Sequence, residues 1–143
     1  MRKKAKKISI IIPCYNNGKF LNDTIKSVLY QTFKNFDLYL INNGSTDNSL
    51  NIMREHELKD KRIFVINHKK KTSRGKSVNL LLKKLKTQWV ALLDADDLYF
   101  KNKIKEQINF KKNILAKWLL VLLFSYLVNS IVIFNAGSST RYK

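Results

Sequence analysis

Three carboxylates stand within four positions at Asp94-Ala-Asp-Asp97, directly after the apolar run Trp89-Val-Ala-Leu-Leu93. Acidic groups packed this closely repel one another, so a purely structural role is a poor account of them. Strand alternation sets Asp94 and Asp96 on the same side, where both can face one ligand. Two hard oxygen donors at that spacing suit Mg²⁺ or Mn²⁺ bridging to phosphate oxygens. Such a metal would neutralise charge that grows on a diphosphate leaving group. Asp97 has a second reading, as the N-terminal cap of the helix that follows. Pro13-Cys-Tyr-Asn16 closes another apolar run. There, Tyr15 could stack on a base and Asn16 could hydrogen-bond in the turn. Ser73-Arg-Gly-Lys76 reads as a helix start, where free N–H groups and two cations can meet phosphate. A phosphate-binding P-loop is excluded, since GxxxxGK[ST] needs a second glycine that is absent. His56 and His68 have no histidine or cysteine partner at metal spacing and read as surface residues.

The elements that must position these residues alternate in type. Ile8 to Ile12, Leu38 to Ile41, Ile63 to Ile66 and Trp89 to Leu93 are short apolar runs. Each is followed by residues at helical spacing: Leu21, Ile25, Val28 and Leu29; Leu50 and Met53; Val78, Leu81, Leu82 and Leu85; Phe100, Ile104 and Ile108. Pro13 is expected to stop the first strand and Asn42-Asn-Gly-Ser45 to turn the chain after the second. Ser45, Thr46 or Asp47 would cap the second helix. Continuous apolar strands alternating with helices predict an α/β fold, an open parallel sheet sandwiched by helices. Ligands in such sheets bind beyond the carboxyl ends of the strands. That rule gathers Pro13 to Asn17, Asn42 to Asp47, Asn67 to Lys76 and Asp94 to Asp97 into one place.

A chain of 143 residues accommodates one domain with a real core and not two. Cys14 is the only cysteine, which excludes an internal disulfide and suits a reducing, cytoplasmic setting. The basic start leads into an apolar run too short for a signal peptide. A net charge of +18 would attract nucleic acid or an anionic membrane leaflet, although a coding bias toward Lys, Asn and Ile would produce it too. Lysines spread along the whole chain argue against a nucleic-acid partner. Residues 113–143 form a separate tail without a single acid. Within it Trp118 to Phe134 is almost wholly apolar, fitting either a core element or a membrane-associated segment. Its 17 residues fall below the roughly 20 that usually cross a bilayer. Lys111, Lys112 and Lys117 before it would keep the sheet domain on the inner, cytoplasmic face.

Taken in order, PCYN, SVLYQTF (Ser27 to Phe33), NNGSTDNS (Asn42 to Ser49), RGKSVN (Arg74 to Asn79) and LLDADD (Leu92 to Asp97) resemble the family 2 glycosyltransferases across residues 7 to 112. The resemblance implies the GT-A fold, Rossmann-like, with residues 1–112 as the nucleotide-sugar-binding domain. It implies a UDP-sugar donor, and a glycan or lipid-linked acceptor in cell-envelope synthesis. Pro13 and Tyr15 match positions lining the base, Asn43 a position that bonds to it, and Asp94 one that contacts ribose or sugar. Asp96 matches the ligand of Mn²⁺ or Mg²⁺ in the DXD motif, and Lys76 joins the phosphate-side candidates. Inversion at the anomeric carbon by a carboxylate base is implied as well.

Two features depart from the family pattern. Asn42-Asn43 stands where an acidic pair is usual, so Asn43 would accept its bond without charge assistance. No Asp or Glu follows Glu106, whereas the family's base lies well past the DXD motif. The expectation is a chain without the C-terminal half of the fold, binding donor weakly and transferring sugar negligibly. A nonenzymatic, nucleotide-binding or membrane-associated remnant is the alternative.

Overall fold

The computed structural model describes residues 7–87, 89–112 and 134–135. Four parallel strands make the sheet: β1 (Ile8–Cys14), β2 (Phe36–Asn42), β3 (Ile63–Asn67) and β4 (Trp89–Leu92). Between and after them run α1 (Gly18–Leu29), α2 (Ser49–Lys59), α3 (Arg74–Leu82) and α4 (Lys103–Lys112). The strand order is β3-β2-β1-β4, with the two-residue β5 (Phe134–Asn135) antiparallel to β4 at the edge. The expected parallel α/β sheet is therefore present, extended by one short antiparallel strand. The apolar tail, apart from β5, lies outside the described residues. No helix among those residues is long and apolar enough to cross a membrane.

Pleating explains why the strand runs are apolar on every residue. Ile8, Ile10 and Ile12 of β1, with Phe36, Leu38 and Leu40 of β2, face Leu21, Ile25 and Val28 of α1, Met53 of α2 and Ile104 of α4. Ile11, Ile41 and Val90 face the other way, onto Val78 and Leu81 of α3. Both faces are covered, so no position of β1 can be polar without a partner; Ser9 meets that demand by bonding Thr87 Oγ1 at 2.6 Å. Each fully buried Ile or Leu contributes on the order of 2 kcal/mol. β3 lies at the edge, and its Phe64 is half-exposed and stacked on Tyr39. Glu57 of α2 accepts a bond from the Val65 N–H at 2.7 Å, occupying a main-chain donor of that edge strand.

Several boundaries differ from expectation for identifiable reasons. β1 continues through Pro13 to Cys14. Pro13 shares the parity of Ile11, whose carbonyl bonds to Leu93, so its missing N–H falls on the β4 side just past the end of β4 pairing. β2 begins two residues early, because Lys7 pairs at 2.7 Å with the buried carboxylate of Asp37. Asp97 does not cap α4, which starts at Lys103; its N–H closes a turn onto the Asp94 carbonyl at 3.1 Å. Phe100 precedes the helix and is 84% exposed. Asn48, not Ser45, Thr46 or Asp47, holds the cap position of α2, and its side chain makes no cap bond. The capping work is done by Asp47 from one residue earlier, with Oδ1 accepting from the Ser49 N–H at 3.0 Å.

Gly44 lies in the left-handed region at φ 83°. A Cβ on it would come within 2.6 Å of the Lys70 carbonyl carbon and the Lys71 nitrogen. Gly44→Ala is therefore expected to cost at least about 2 kcal/mol, from left-handed strain plus the forced shift of the neighbouring loop. At Gly75, where an added Cβ meets nothing, the same change should be neutral or gain up to about 1 kcal/mol. Denaturant melts of the two variants side by side would check this, and equal stabilities would refute it.

Candidate functional site

At the carboxyl end of the sheet the four loops named by the sequence come together, joined by hydrogen bonds of side chains and main chain and by one ion pair. Asn16 adopts φ 55°, a conformation Asn tolerates better than most residues. Its N–H donates to Ser45 Oγ at 3.0 Å and its Oδ1 accepts from the Thr46 N–H at 2.8 Å. Asp47 Oδ2 accepts from the Gly18 N–H at 2.9 Å, at the first turn of α1. One carboxylate thus terminates two helices. A Cβ on Gly18 would lie 2.1 Å from Asn48 Oδ1, so any larger residue here would displace the Asn48 side chain. The third loop joins through the His68 N–H to the Asn42 carbonyl and the Thr72 N–H to the Asn43 carbonyl, at 2.9 and 3.1 Å.

The base-side candidates occupy this seam. Pro13 is buried within β1, and Tyr15 is 38% exposed beyond its end. Lys71 places its ammonium 4.5 Å from the centre of the Tyr15 ring, so a cation already lies over one face of that ring. Asn42 is fully engaged: its Nδ2 donates to Asn67 Oδ1 at 2.8 Å and its Oδ1 accepts from Ser45 at 3.0 Å. Asn43 differs. It is buried, its main chain is bonded to Cys14 and Thr72, and its Oδ1 has no hydrogen-bond partner among the described residues. Burying an acceptor unpaired costs about 1–3 kcal/mol, which a ligand donor would recover. Burial pushes the neighbouring Cys14 thiol above its ordinary value, leaving it neutral and inert at physiological pH.

The phosphate-side candidates sit across the sheet. β4 ends at Leu92, so Asp94 to Asp97 forms a turn and strand alternation does not set its side chains. Asp94 is one-third exposed and ion-paired with the Arg74 guanidinium from the first residue of α3. Asp96 is exposed and forms no hydrogen bond or ion pair among the described residues. Ser73 caps α3 by accepting from the Lys76 N–H at 3.4 Å. The Lys76 side chain is exposed, with no partner for its ammonium among the described residues. His56 is half-buried against Asn22, away from the site, and held below its ordinary pKa by burial and nearby lysines; His68 meets the site through its main chain. No group of three or more metal-ligating side chains occurs among the described residues.

The family model for glycosyl transferase family 2 matches residues 9–119, spanning all four loops, among them the turn that carries Asp94 and Asp96. The chain belongs to glycosyl transferase family 2. A Rickettsia bellii protein described as an uncharacterized glycosyltransferase is 41% identical over 104 residues, covering 73% of this chain and 15% of that protein. TuaG of Bacillus subtilis, named for teichuronic acid biosynthesis, is 31% identical over 72% of this chain and 41% of its own length. Among solved structures, Staphylococcus aureus TarS 1–349 in complex with UDP superposes with a TM-score of 0.68 at 28% identity, covering 74% of this chain and 32% of TarS 1–349. A Pyrobaculum calidifontis mannosyltransferase in complex with GDP-Man and Mn²⁺ has a TM-score of 0.62 at 16% identity and shares the fold alone. This family 2 chain thus spans less than half the length of each of these relatives.

Three features of this glycosyltransferase domain escape sequence reasoning. The Arg74–Asp94 pair joins two candidates separated by 20 residues, and opposite charge at two loop positions was the only signal for it. The double role of Asp47 has a partial signal in its position before α2, but nothing local announces Gly18. The placement of Lys71 over Tyr15 has no signal, since Lys69, Lys70 and Lys71 are equivalent by type.

Proposed function

We propose that residues 1–112 form the donor-binding domain of an inverting, metal-dependent glycosyltransferase acting in cell-envelope glycan synthesis, with a UDP-sugar as donor. The observation that carries this is the turn at the end of β4. It presents Asp96 exposed and without a partner among the described residues, while Asp94 beside it is held by Arg74. A nucleotide diphosphate bound across the strand ends would meet a cation from α3 on one side and a hard oxygen donor on the other. The buried, unpartnered Oδ1 of Asn43 supports the base side of the reading, because the imide N–H of uracil is a donor of the required kind.

The residues present fit a hard divalent cation. Mg²⁺ and Mn²⁺ are commonly held by one or two carboxylates together with substrate phosphates, keeping water in the other positions. Asp96 would hold the metal, Asp94 would contact ribose or sugar, and Tyr15 and Pro13 would line the base, with Lys76 and Arg74 on the phosphate side. When bound, the metal supplies Lewis-acid stabilisation of the departing diphosphate. Inversion also needs a base facing the acceptor hydroxyl. None of this chain's carboxylates is assigned that role: Asp97 lies beside the metal position, and no acid follows Glu106. Donor binding is accordingly the activity to measure. The acceptor, a glycan or lipid-linked saccharide, would be met at the cytoplasmic face of a membrane, where the net charge of +18 favours an anionic leaflet.

Thermal unfolding with UDP, with and without Mn²⁺, tests the proposal. Ligand binding to the folded state raises stability by about 2.7 kcal/mol at 100 times the dissociation constant. The expected result is a rise in melting temperature with UDP that Mn²⁺ enlarges and that ADP does not reproduce. No shift at millimolar UDP would sink the reading.

A further inference from the structure

The SVLYQTF motif at the end of α1 has no place in the donor site just described, yet its polar members are bonded to the segment that carries the acidic turn. Thr24, one turn before the motif, and Ser27 and Gln31 within it are spaced by three and four residues along the end of α1 and the turn just past it. Thr24 and Gln31 are fully buried. Thr24 Oγ1 donates to the carbonyl of Ala95, the residue between Asp94 and Asp96, at 2.8 Å. Ser27 Oγ accepts from the Tyr99 N–H at 3.0 Å and donates to the Thr24 carbonyl at 2.7 Å. Gln31 bridges the entry to α4, its Nε2 donating to the Phe100 carbonyl at 2.7 Å and its Oε1 accepting from the Ile104 N–H at 3.1 Å. The Thr32 N–H adds a bond to the Lys101 carbonyl at 3.0 Å.

Within the same segment the chain is closed on itself. The buried Tyr99 hydroxyl donates to the Leu92 carbonyl at 3.2 Å, and the Asp97 N–H donates to the Asp94 carbonyl. Burial drives the Tyr99 phenol far above its ordinary pKa, so it stays a donor at every accessible pH. The loop from Leu92 to Tyr99 is thus tied at its base and at its tip, and hung on α1 at Ala95, Tyr99, Phe100 and Ile104. The main chain beneath three mutually repelling carboxylates is thus fixed, while the Asp96 side chain has no partner among the described residues.

We propose that Thr24, Ser27 and Gln31 are positioning residues that set the Asp94 and Asp96 carboxylates for the metal–diphosphate through the main chain of the acidic turn. This rests on the reading of Asp96 as the metal-binding residue. The three side chains touch neither donor nor metal. Their effect should therefore appear in the metal-dependent part of binding and be absent from the metal-free part. Generic packing of α1 against the loop would affect both parts together, or stability alone.

Thr24→Val keeps the branched shape and removes the donor to Ala95. At fixed UDP, the Mn²⁺ concentration giving half-maximal binding is expected to rise roughly 10-fold, the lower end of what loss of an outer-shell partner costs a metal site. UDP affinity without metal should stay within about twofold, inside the scatter of a few tenths of a kcal/mol for independent sites. Thr24→Ser should restore the Mn²⁺ midpoint. Asp60→Ala, which destabilises the start of β3 by removing the Arg62 pair, should leave that midpoint unchanged. If Thr24→Val does not fold, Ser27→Ala replaces it with the same readouts. A wild-type Mn²⁺ midpoint in the folded variant, or equal loss of UDP binding with and without metal, overturns the inference alone. A wild-type chain that binds UDP with no response to Mn²⁺ overturns the metal site and this inference with it.

Discussion

Asp96→Asn is expected to abolish the Mn²⁺-dependent part of UDP binding without weakening the unliganded chain. The Asp96 carboxylate is exposed and makes no bond among the described residues, so its loss leaves nothing unpaired. Removing one of three neighbouring negative charges relieves repulsion, and unliganded stability should be equal or slightly raised, within about 0.5 kcal/mol. A metal bound through one or two carboxylates plus phosphates loses most of its protein anchorage when one carboxylate goes. The expected rise in the Mn²⁺ midpoint is at least about 100-fold, above the range for outer-shell partners. Asp94→Asn should behave differently, because it also releases Arg74 from its ion pair and so changes metal-free UDP binding as well. Calorimetric titration of UDP at several Mn²⁺ concentrations separates the two variants. If Asp96→Asn kept the wild-type metal response, the assignment of Asp96 would be wrong.

The acidic turn shows where sequence reasoning succeeds and where it stops. Its position beyond a strand end was legible, because Trp89 to Leu93 is a continuous apolar run in an alternating α/β pattern. Which carboxylate is free was not. Alternation treats Asp94 and Asp96 alike, yet the chain leaves the strand at Leu92, and Arg74 then engages one of them. Asp37 masked the start of β2 in the same way. A charged residue breaks the apolar run on which strand reading depends, and the Lys7 pair that makes its burial tolerable is 30 residues away in sequence. Phe100 fits the helical period of Ile104 and Ile108, but Gln31 takes its carbonyl and the helix begins three residues later. In each case a long-range polar contact overrides a local pattern.

The base side was read from resemblance rather than from residue chemistry, and there the structure adds a physical reason for attention to Asn43. A carboxylate buried at this position would carry a desolvated charge. The amide avoids that cost and keeps one acceptor, which is left unpaired when no ligand is bound. On the proposed reading, affinity would be traded against the stability of the empty domain, with the Asn43 main chain held by its loop bonds to Cys14 and Thr72.

Those loop bonds converge on Asp47, and Asp47→Ala is expected to cost about 1–2 kcal/mol at pH 7. Its two oxygens accept from Gly18 and Ser49, N–H groups in the first turns of α1 and α2 with no partner inside their own helices. Loss of one such cap typically costs about 1 kcal/mol. Two caps are lost here, but Asp47 is exposed and water can replace part of each bond, so the sum is discounted. For a domain of this size the melting temperature should fall by roughly 3–7 °C. Asp47→Asn should recover part of the loss, since an amide has one oxygen to accept with and cannot serve both donors. Burial raises the Asp47 carboxyl pKa, but the bonds from Ser49 and Gly18 outweigh it and hold the group below its ordinary value of 3.8. The folded state then binds fewer protons than the unfolded state, so this contribution is complete above the ordinary value and disappears as pH falls through the folded one. The stability gap between wild type and Asp47→Ala should therefore be constant from pH 8 to about pH 5 and close below about pH 4. A gap that stayed open at low pH would assign the effect to lost packing instead of the carboxylate. Because the same carboxylate ties the loop bearing Tyr15 and Asn16 to the loop bearing Asn43, UDP binding without metal should weaken in Asp47→Ala. That is the half of the donor response that Asp96→Asn leaves intact.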